Sequence, residues 1–244
     1  MSSDPPIEAH PDSEAASPTV QRVLQSAAKL QQAVPDAVLV GGTAAILYAR
    51  HRDSFDHDHV LADLQDRYLQ VLEALEATDG WVTNVRASSP PLTILGQLGG
   101  IEAGLRQLRR RRPLENEEDQ LGETLVVRVP TATEILRIKA YLVVQRNQVR
   151  DYLDVVALAD RYGVDSSAAV LVSIDDYYLD RSETADSVLT ALVERLSAPA
   201  PRDERVIREL KRYRRLDPRW HDWTTVVEAC QTLADALLRR VEPE

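Results

Sequence analysis

The hydrophobic pattern of this chain changes near Pro130, and this change limits the folds available to it. Before that point, short apolar runs are separated by glycine- and proline-containing turns, which is typical of strands. After it, apolar residues recur at helical spacing over several segments. Strands followed by helices predict an α+β fold, with a mixed sheet core followed by an all-helical C-terminal region. We place a tail at 1–18, the core at 19–130 and the helical region at 131–244.

Individual elements follow from the same patterns. In the core, strands are predicted at 37–40, 54–61, 81–86, 92–98, 101–108 and 124–129, and helices at 20–33, 43–50 and 63–77. Thr43 is expected near the N-terminal cap of its helix, and the acidic segment 115–119 is expected to be a loop. In the C-terminal region, helices are predicted at 131–147, 149–162, 166–179, 182–197, 203–215 and 222–240, with Gly163 ending the second.

The composition is that of a folded chain without a membrane span. Hydrophobic residues make up 44% of the 244 residues. No apolar run reaches the roughly 18 residues that a transmembrane helix needs. The N-terminus lacks a basic segment followed by an apolar stretch, so no secretory signal is expected. The single cysteine, Cys230, excludes an internal disulfide, a zinc finger and iron–sulfur ligation. We therefore expect a cytoplasmic protein that does not bind membranes.

Charge is unevenly distributed along the chain. The net charge of −10 argues against non-specific coating of nucleic acid. Residues 1–18 carry acidic residues and no Lys or Arg, which predicts a disordered acidic tail. Local arginine clusters can still contact RNA, with a solvated surface or an acidic partner as the alternative. The RNA-contact candidates are Arg109 and Arg110 after the predicted hairpin, and Arg208, Arg212 and Arg215 on one side of the predicted helix 203–215.

The most informative stretch combines a glycine turn with a pair of aspartates. Asp56 and Asp58 share one face of their predicted strand, roughly 6.6 Å apart, and their hard oxygen ligands favour Mg²⁺ or Mn²⁺. Gly41-Gly42 precedes a helix N-terminus, whose free N–H groups suit a phosphate. A phosphate-binding turn beside a metal pair is the set that nucleotidyl transfer from an NTP requires. Ser54 is placed to offer a hydroxyl to a phosphate.

The segment LVGGTAAILYARHRDSFDHDHV resembles the signature of the DNA polymerase β-like nucleotidyltransferase superfamily. More narrowly, it resembles the AbiEii-type and MenT-like toxins of type IV toxin–antitoxin systems. These proteins carry a lysine in a later helix and an Arg-Asp-x-x-Asp segment in the next one. Here EILRIKAYLVVQRNQVRDYLDVVALAD supplies Lys139 and Arg150-Asp151-Tyr152-Leu153-Asp154. The resemblance covers roughly residues 37–162 and implies a nucleotidyltransferase core.

The resemblance also implies roles for these residues. Gly41, Gly42, Thr43 and Ser54 lie at the nucleotide phosphates, Asp56 and Asp58 hold the metal, Lys139 contacts the phosphates, and Asp154 or Asp151 completes the catalytic site. The implied reaction is Mg²⁺-dependent transfer of NMP from an NTP to an acceptor. The implied acceptor is the 3′ end of tRNA, and its modification inhibits translation. A cognate antitoxin protein is the implied partner.

Lys139 has a second interpretation. Its helical neighbours Ile135, Leu136, Leu142 and Val143 are apolar, so its side chain is expected to point into the protein. A buried lysine needs an anionic partner. A structural ion pair with Asp151 or Asp154 is therefore the alternative to a role at the triphosphate.

One departure from the superfamily pattern keeps other functions open. Many of these enzymes carry a third carboxylate on a later strand, where this chain has Gly104, with Glu102 two residues earlier. A catalytically inactive nucleotidyltransferase-fold module that binds nucleotide or a partner protein is therefore one alternative. An antibiotic-type nucleotidyltransferase is another, because a net charge of −10 attracts a cationic small molecule.

Overall fold

The computed structural model describes residues 7, 10–11, 16–110, 112–121, 125–178 and 187–241, so most of the predicted tail 1–18 lies outside the described residues. The chain divides into two compact units. The sheet unit comprises the described residues of His10–Arg109 and Pro113–Thr131. The helical unit comprises those of Met1–Ala9, Arg110–Arg112 and Ala132–Glu244. The predicted α+β class with a helical C-terminal region is confirmed.

The sheet unit contains three described helices and seven described strands. The helices are α1 (Pro18–Ala33), α2 (Gly41–Ala49) and α3 (Tyr68–Glu76). The strands are β1 (Val38–Val40), β2 (Asp56–Leu61), β3 (Trp81–Thr83), β4 (Thr93–Leu98), β5 (Ile101–Gln107), β6 (Asn116–Leu121) and β7 (Leu125–Pro130). Ser17 begins α1, because its hydroxyl accepts a hydrogen bond from Val20 N at 3.3 Å and Pro18 follows at a position that needs no N–H donor.

Five of these strands form one mixed sheet in the order β1-β2-β5-β4-β3. β2 and β5 are parallel, and the other neighbours are antiparallel. Along β2, every second residue from His57 to Leu61 is buried, whereas the residues between them are partly exposed. The buried face packs under α1 and α3 in a core that includes Leu30, Leu75, Ile94 and Leu105. The other face is therefore available to carry polar chemistry.

β6 and β7 form a separate two-stranded sheet beside α1. Gln31 on α1 connects the helix to this hairpin. Its side-chain amide donates to Arg128 O at 2.9 Å and accepts from Arg128 N at 2.7 Å. Tyr48 on α2 donates to Pro130 O at 2.6 Å and so fixes the end of β7.

The helical unit is built from α4 (Ala132–Gln145), α5 (Val149–Tyr162), α6 (Val164–Leu171), α7 (Asp175–Tyr178), α8 (Val188–Ser197) and α9 (Trp223–Val241). Two 3₁₀ helices lie between α8 and α9, at Glu204–Arg212 and Pro218–Trp220. Gly163 ends α5 as predicted, with φ +91°. Among the helices of the described residues, none is long and apolar enough to cross a membrane.

Several predicted elements are wrong in detail. The acidic segment 115–119 was expected to be a loop, but most of it lies in β6, because pairing with β7 stabilises an extended chain that its own side chains disfavour. α2 begins at Gly41, so Thr43 lies inside the helix and does not cap it. α3 begins at Tyr68 and not at Asp63. The predicted helix 166–179 is divided into α6 and α7, and residues 182–186 of the next lie outside the described residues.

The predicted α-helix 203–215 is also wrong. Residues Glu204–Arg212 form a 3₁₀ helix, in which Leu210 is the buried side chain. Asp203, at its start, accepts a hydrogen bond from Val149 N at 2.8 Å and so connects the segment to α5. A 3₁₀ helix has about 3.0 residues per turn, so a wheel drawn for an α-helix assigns the wrong residues to one face.

Candidate nucleotide and metal site

Asp56 and Asp58 lie on the face of β2 opposite the core, as their spacing predicts. Both are partly exposed, and 37% of the Asp58 side chain is accessible. In the parallel pair β2–β5, Asp56 is opposite Glu102 and Asp58 is opposite Gly104. The two carboxylates therefore present hard oxygen ligands on one open surface of the sheet.

The glycine turn lies directly against Asp58. Gly41 has φ +74°, and a Cβ atom placed on it would lie 3.4 Å from both Cβ and Oδ2 of Asp58. The residue before α2, Val40, has no side chain that caps the helix. The first-turn N–H groups of α2 are thus adjacent to a carboxylate that can bind a metal. This juxtaposition is what a metal–phosphate site needs.

The two predicted hydroxyl groups contact Asp56. Ser54 Oγ donates to Asp56 Oδ1 at 3.0 Å, and Thr43 Oγ1 donates to Asp56 O at 2.6 Å. Ser54 and Thr43 are both buried. In this structure the hydroxyls therefore orient Asp56, which differs from their predicted position at the phosphates.

Arg52 also lies at this site, although the sequence did not predict it. Its side chain is buried, and a Cβ atom on Gly42 would lie 2.8 Å from its Nη2 and 3.2 Å from Ser54 Oγ. A guanidinium group thus lies beside the glycine turn. No regular pattern indicated it, because Arg52 lies at a bend outside the predicted strand 54–61.

A third carboxylate does not complete the pair in the part of the chain that the structure describes. A Cβ atom on Gly104 would lie 2.9 Å from Asp58 Oδ1, so the Asp58 carboxylate occupies the space that a side chain there would need. Glu102 is exposed on the same strand. Among the described residues, no group of three His, Cys, Asp or Glu side chains could hold a metal ion. The pair still fits Mg²⁺, which is often bound through one or two carboxylates, with water and substrate phosphates as its other ligands.

The two histidines that alternate with the aspartates on β2 belong to the core. His57 and His59 are buried on the opposite face of β2, and Ser26 Oγ lies 3.0 Å from His57 Nε2. Burial lowers the pKa of His57 to about 4, although Asp56 opposes this shift. Burial and the neighbouring His57 also lower the pKa of His59 well below its usual value. Both rings are therefore neutral and structural near pH 7.

Lys139 and its predicted partners form a cluster in the helical unit. Lys139 Nζ lies 2.7 Å from Asp154 Oδ2, with 2% and 0% of the two side chains exposed. Arg146 Nη2 lies 2.7 Å from Asp151 Oδ1, and the Asp151 side chain is also fully buried. Burial raises the pKa of Asp151, while Arg146 and Lys139 lower it. Lys139 on α4 thus forms a buried ion pair with Asp154 on α5. This is the ion pair that was predicted as the alternative to a contact between Lys139 and the triphosphate.

The predicted RNA-contacting arginines differ in accessibility. Arg110 does not suit that role, because 2% of its side chain is exposed and its two terminal nitrogens contact the Glu134 carboxylate at 2.7 and 2.8 Å. Arg109, Arg208, Arg212 and Arg215 are exposed. In the 3₁₀ helix, however, Arg208 shares a face with Arg205 and Lys211, whereas Arg215 lies beyond its end.

The five-stranded sheet with its parallel β2–β5 pair is a fold that also occurs in nucleotidyltransferase-like proteins. A candidate nucleotidyltransferase from H. pylori shares this fold with a TM-score of 0.50, 14% identity and coverage of 92% of this chain and 97% of that chain. A second solved structure, JHP933 from Helicobacter pylori, has a TM-score of 0.49 and 15% identity over 93% of this chain and 95% of its own.

Curated relatives are similar to this chain over a small part of their own length. The mycolic acid-containing lipids exporter MmpL11 of Mycolicibacterium smegmatis is 33% identical over 135 residues, which is 55% of this chain and 14% of that protein. The heme uptake protein MmpL11 of Mycobacterium tuberculosis is 30% identical over 191 residues, which is 75% of this chain and 20% of that protein. The chain thus spans a fifth or less of these relatives. No family model matches it.

Proposed function

We propose that this protein is a Mg²⁺- or Mn²⁺-dependent nucleotidyltransferase that transfers NMP from an NTP to an acceptor and releases pyrophosphate. The observation that carries the proposal is the contact between Asp58 and Gly41 at the start of α2, within a nucleotidyltransferase-like fold. A metal-binding carboxylate and a phosphate-binding helix terminus share one surface there.

In the sheet unit, one set of residues is suited to bind the phosphates and another is suited to bind the metal. The first turn of α2 and the buried Arg52 offer positive charge to the triphosphate. Asp56, oriented by Ser54, and Asp58 would hold the cation. When bound, the divalent ion neutralises charge on the phosphates and makes pyrophosphate a better leaving group. The acceptor hydroxyl attacks the α-phosphorus, and the bond from that phosphorus to the bridging oxygen of pyrophosphate breaks.

We assign Lys139 to the triphosphate, and Asp154 or Asp151 to the proton of the acceptor hydroxyl. This assignment rests on the resemblance of the two helical motifs. Burial raises the pKa of Asp151, which makes its carboxylate a better proton acceptor. The ion pair with Asp154 would hold the Lys139 ammonium group in place before substrate binds.

For the acceptor, we propose the 3′ end of tRNA, with inhibition of translation as the result and an antitoxin protein as the partner. The resemblance to AbiEii-type toxins supports this acceptor. The exposed arginines of the 3₁₀ helix also support it, because they offer charge for an RNA backbone in a chain that is acidic overall.

The second candidate is a non-catalytic module that binds nucleotide or a partner protein. Gly104 favours it, because Asp58 fills the space of a third carboxylate. The proposal of an antibiotic-type enzyme has no comparable support in the structure.

Labelled NTPs test the proposal directly. The purified protein is incubated with each of the four NTPs, with and without total tRNA, and label transfer is measured. Asp56→Asn and Asp58→Asn should each lower transfer by about two orders of magnitude or more, because the charge that holds the metal is lost while the side-chain shape is kept. Asp66→Asn, at an exposed position of the same unit, is the matched control and should retain activity.

Full transfer by both aspartate variants would remove the metal pair from the mechanism. If the unaltered protein binds an NTP but transfers no label to tRNA, to itself or to an aminoglycoside, the non-catalytic module is correct. Transfer that needs an aminoglycoside in place of tRNA identifies the antibiotic-type enzyme.

A further inference from the structure

Arg106 is the cation next to the aspartate pair. It lies on β5, two residues after Gly104, and therefore on the sheet face that carries Asp58. Its Nη2 lies 3.6 Å from Asp58 Oδ1, and 49% of its side chain is exposed.

The missing side chain at residue 104 explains how Arg106 reaches Asp58. Asp58 is opposite Gly104 in the strand pair, and its carboxylate lies 2.9 Å from where a Cβ atom on Gly104 would be. The face above Gly104 therefore holds the Asp58 carboxylate, and the Arg106 guanidinium extends back along the strand toward it. This face thus carries a positive side chain at residue 106 and no carboxylate at residue 104.

The ion pair between Arg106 and Asp58 is weak enough for each residue to exchange its partner for another charged group. An ion pair between side chains that are 49% and 37% exposed contributes little free energy, because water screens both charges. A divalent cation on Asp58 would repel the guanidinium and remove its partner. A bound polyphosphate would at the same time offer Arg106 new acceptors, and arginine pairs with phosphate in a bidentate geometry.

We propose that Arg106 is an exchanging counter-ion: it neutralises Asp58 when the site is empty, leaves it when the divalent cation binds, and then contacts the β- and γ-phosphates that depart as pyrophosphate. This inference rests on the proposed function, because it takes Asp58 as a metal ligand.

The proposal predicts opposite changes in two affinities. Arg106→Gln should bind Mn²⁺ alone about two- to fivefold more tightly than the unaltered protein, because the competing charge is gone. In saturating Mg²⁺, the same variant should bind inorganic pyrophosphate about tenfold more weakly, because a charged hydrogen-bond donor is lost. Arg106→Lys should lie between the two proteins in both measurements, since it keeps the charge without the bidentate geometry.

Two controls make the measurement specific. Asp58→Asn defines the Mn²⁺ signal that belongs to this site, read by paramagnetic resonance of the free ion. Arg86→Gln removes an exposed arginine elsewhere in the sheet unit and should change neither affinity. Both changes in Arg106→Gln should become smaller as salt is raised, because the groups are exposed.

The outcomes separate this inference from the proposed function. If the unaltered protein binds Mn²⁺ through Asp58 and Arg106→Gln changes neither affinity, Arg106 is a surface residue and only this inference is wrong. A loss of both affinities in Arg106→Gln would show that the arginine organises the site and does not compete with the metal. If neither protein binds Mn²⁺ through Asp58, the inference and the proposed metal site fail together.

Discussion

Replacing Lys139 separates a structural ion pair from a phosphate contact. Lys139 and Asp154 are 2.7 Å apart and almost completely buried, with 2% and 0% of their side chains exposed. Lys139→Met removes the positive partner and leaves the Asp154 carboxylate buried. Removal of one member of a buried pair costs about 3–5 kcal/mol, a large fraction of the roughly 5–15 kcal/mol that stabilises a typical protein.

A second substitution restores the balance of charge. In the double variant with Lys139→Met and Asp154→Leu, two apolar side chains replace the pair. The free energy of unfolding should return to within about 1 kcal/mol of the original value or exceed it. Urea unfolding of the unaltered protein and both variants measures these differences. Lys211→Met, at an exposed position of the helical unit, is the control and should change stability by about 0.5 kcal/mol or less.

Nucleotidyl transfer by the double variant then decides the role of Lys139. If the amine contacts the triphosphate, the double variant is stable but loses transfer by orders of magnitude and binds NTP weakly. A stable double variant with normal turnover would show that the pair is structural and would refute the assigned role. If the single variant is as stable as the original protein, the argument from burial is itself wrong.

The remaining predictions concern pH and salt. Because the pKa of His57 falls from 6.5 in the unfolded chain to about 4 in the folded one, the unfolded chain binds an extra proton in this range, and stability should fall by about 3 kcal/mol from this residue as pH is lowered from 6.5 to 4. His57→Gln should reduce that loss in urea unfolding at pH 7 and pH 4.5, and an unchanged loss would exclude His57 as its cause. For tRNA binding, replacing a basic residue that contacts a phosphate by Glu should flatten the dependence of log affinity on log salt by about one unit per lost contact. Reversal of the three residues that share a face of the 3₁₀ helix, Arg205, Arg208 and Lys211, should flatten this slope more than reversal of Arg212 and Arg215. Equal effects would contradict the face assigned to the helix.

The aspartate pair could be predicted from the sequence because its geometry is local. Residues two apart on a strand share a face whatever the strand pairs with, so Asp56 and Asp58 needed no tertiary information. The burial of Lys139 was predictable for the same reason, since its helical neighbours are apolar. Arg106 could not be placed in this way. Its approach to Asp58 depends on the parallel register of β2 and β5, which no pattern within either strand specifies.

The wrong elements have similar physical causes. β6 is rich in acidic residues that disfavour strands, and its extended conformation comes from its pairing with β7. The segment 204–212 has apolar residues three apart, a spacing that α- and 3₁₀ helices share over a short stretch. In both cases, distant contacts select between conformations that the local sequence leaves close in energy.

The side chain of Gln31 stabilises the two-stranded sheet by hydrogen bonding to the open side of β7. An isolated hairpin is marginally stable, and an open strand edge can recruit a strand from another molecule. The Gln31 side chain forms hydrogen bonds with both the N–H and the C=O of Arg128. It therefore pairs the backbone polar groups of this residue as a neighbouring strand would. The helix α1 thus takes the place of a third strand at this point. A single amide side chain thereby protects the chain from pairing with a second copy of itself at Arg128.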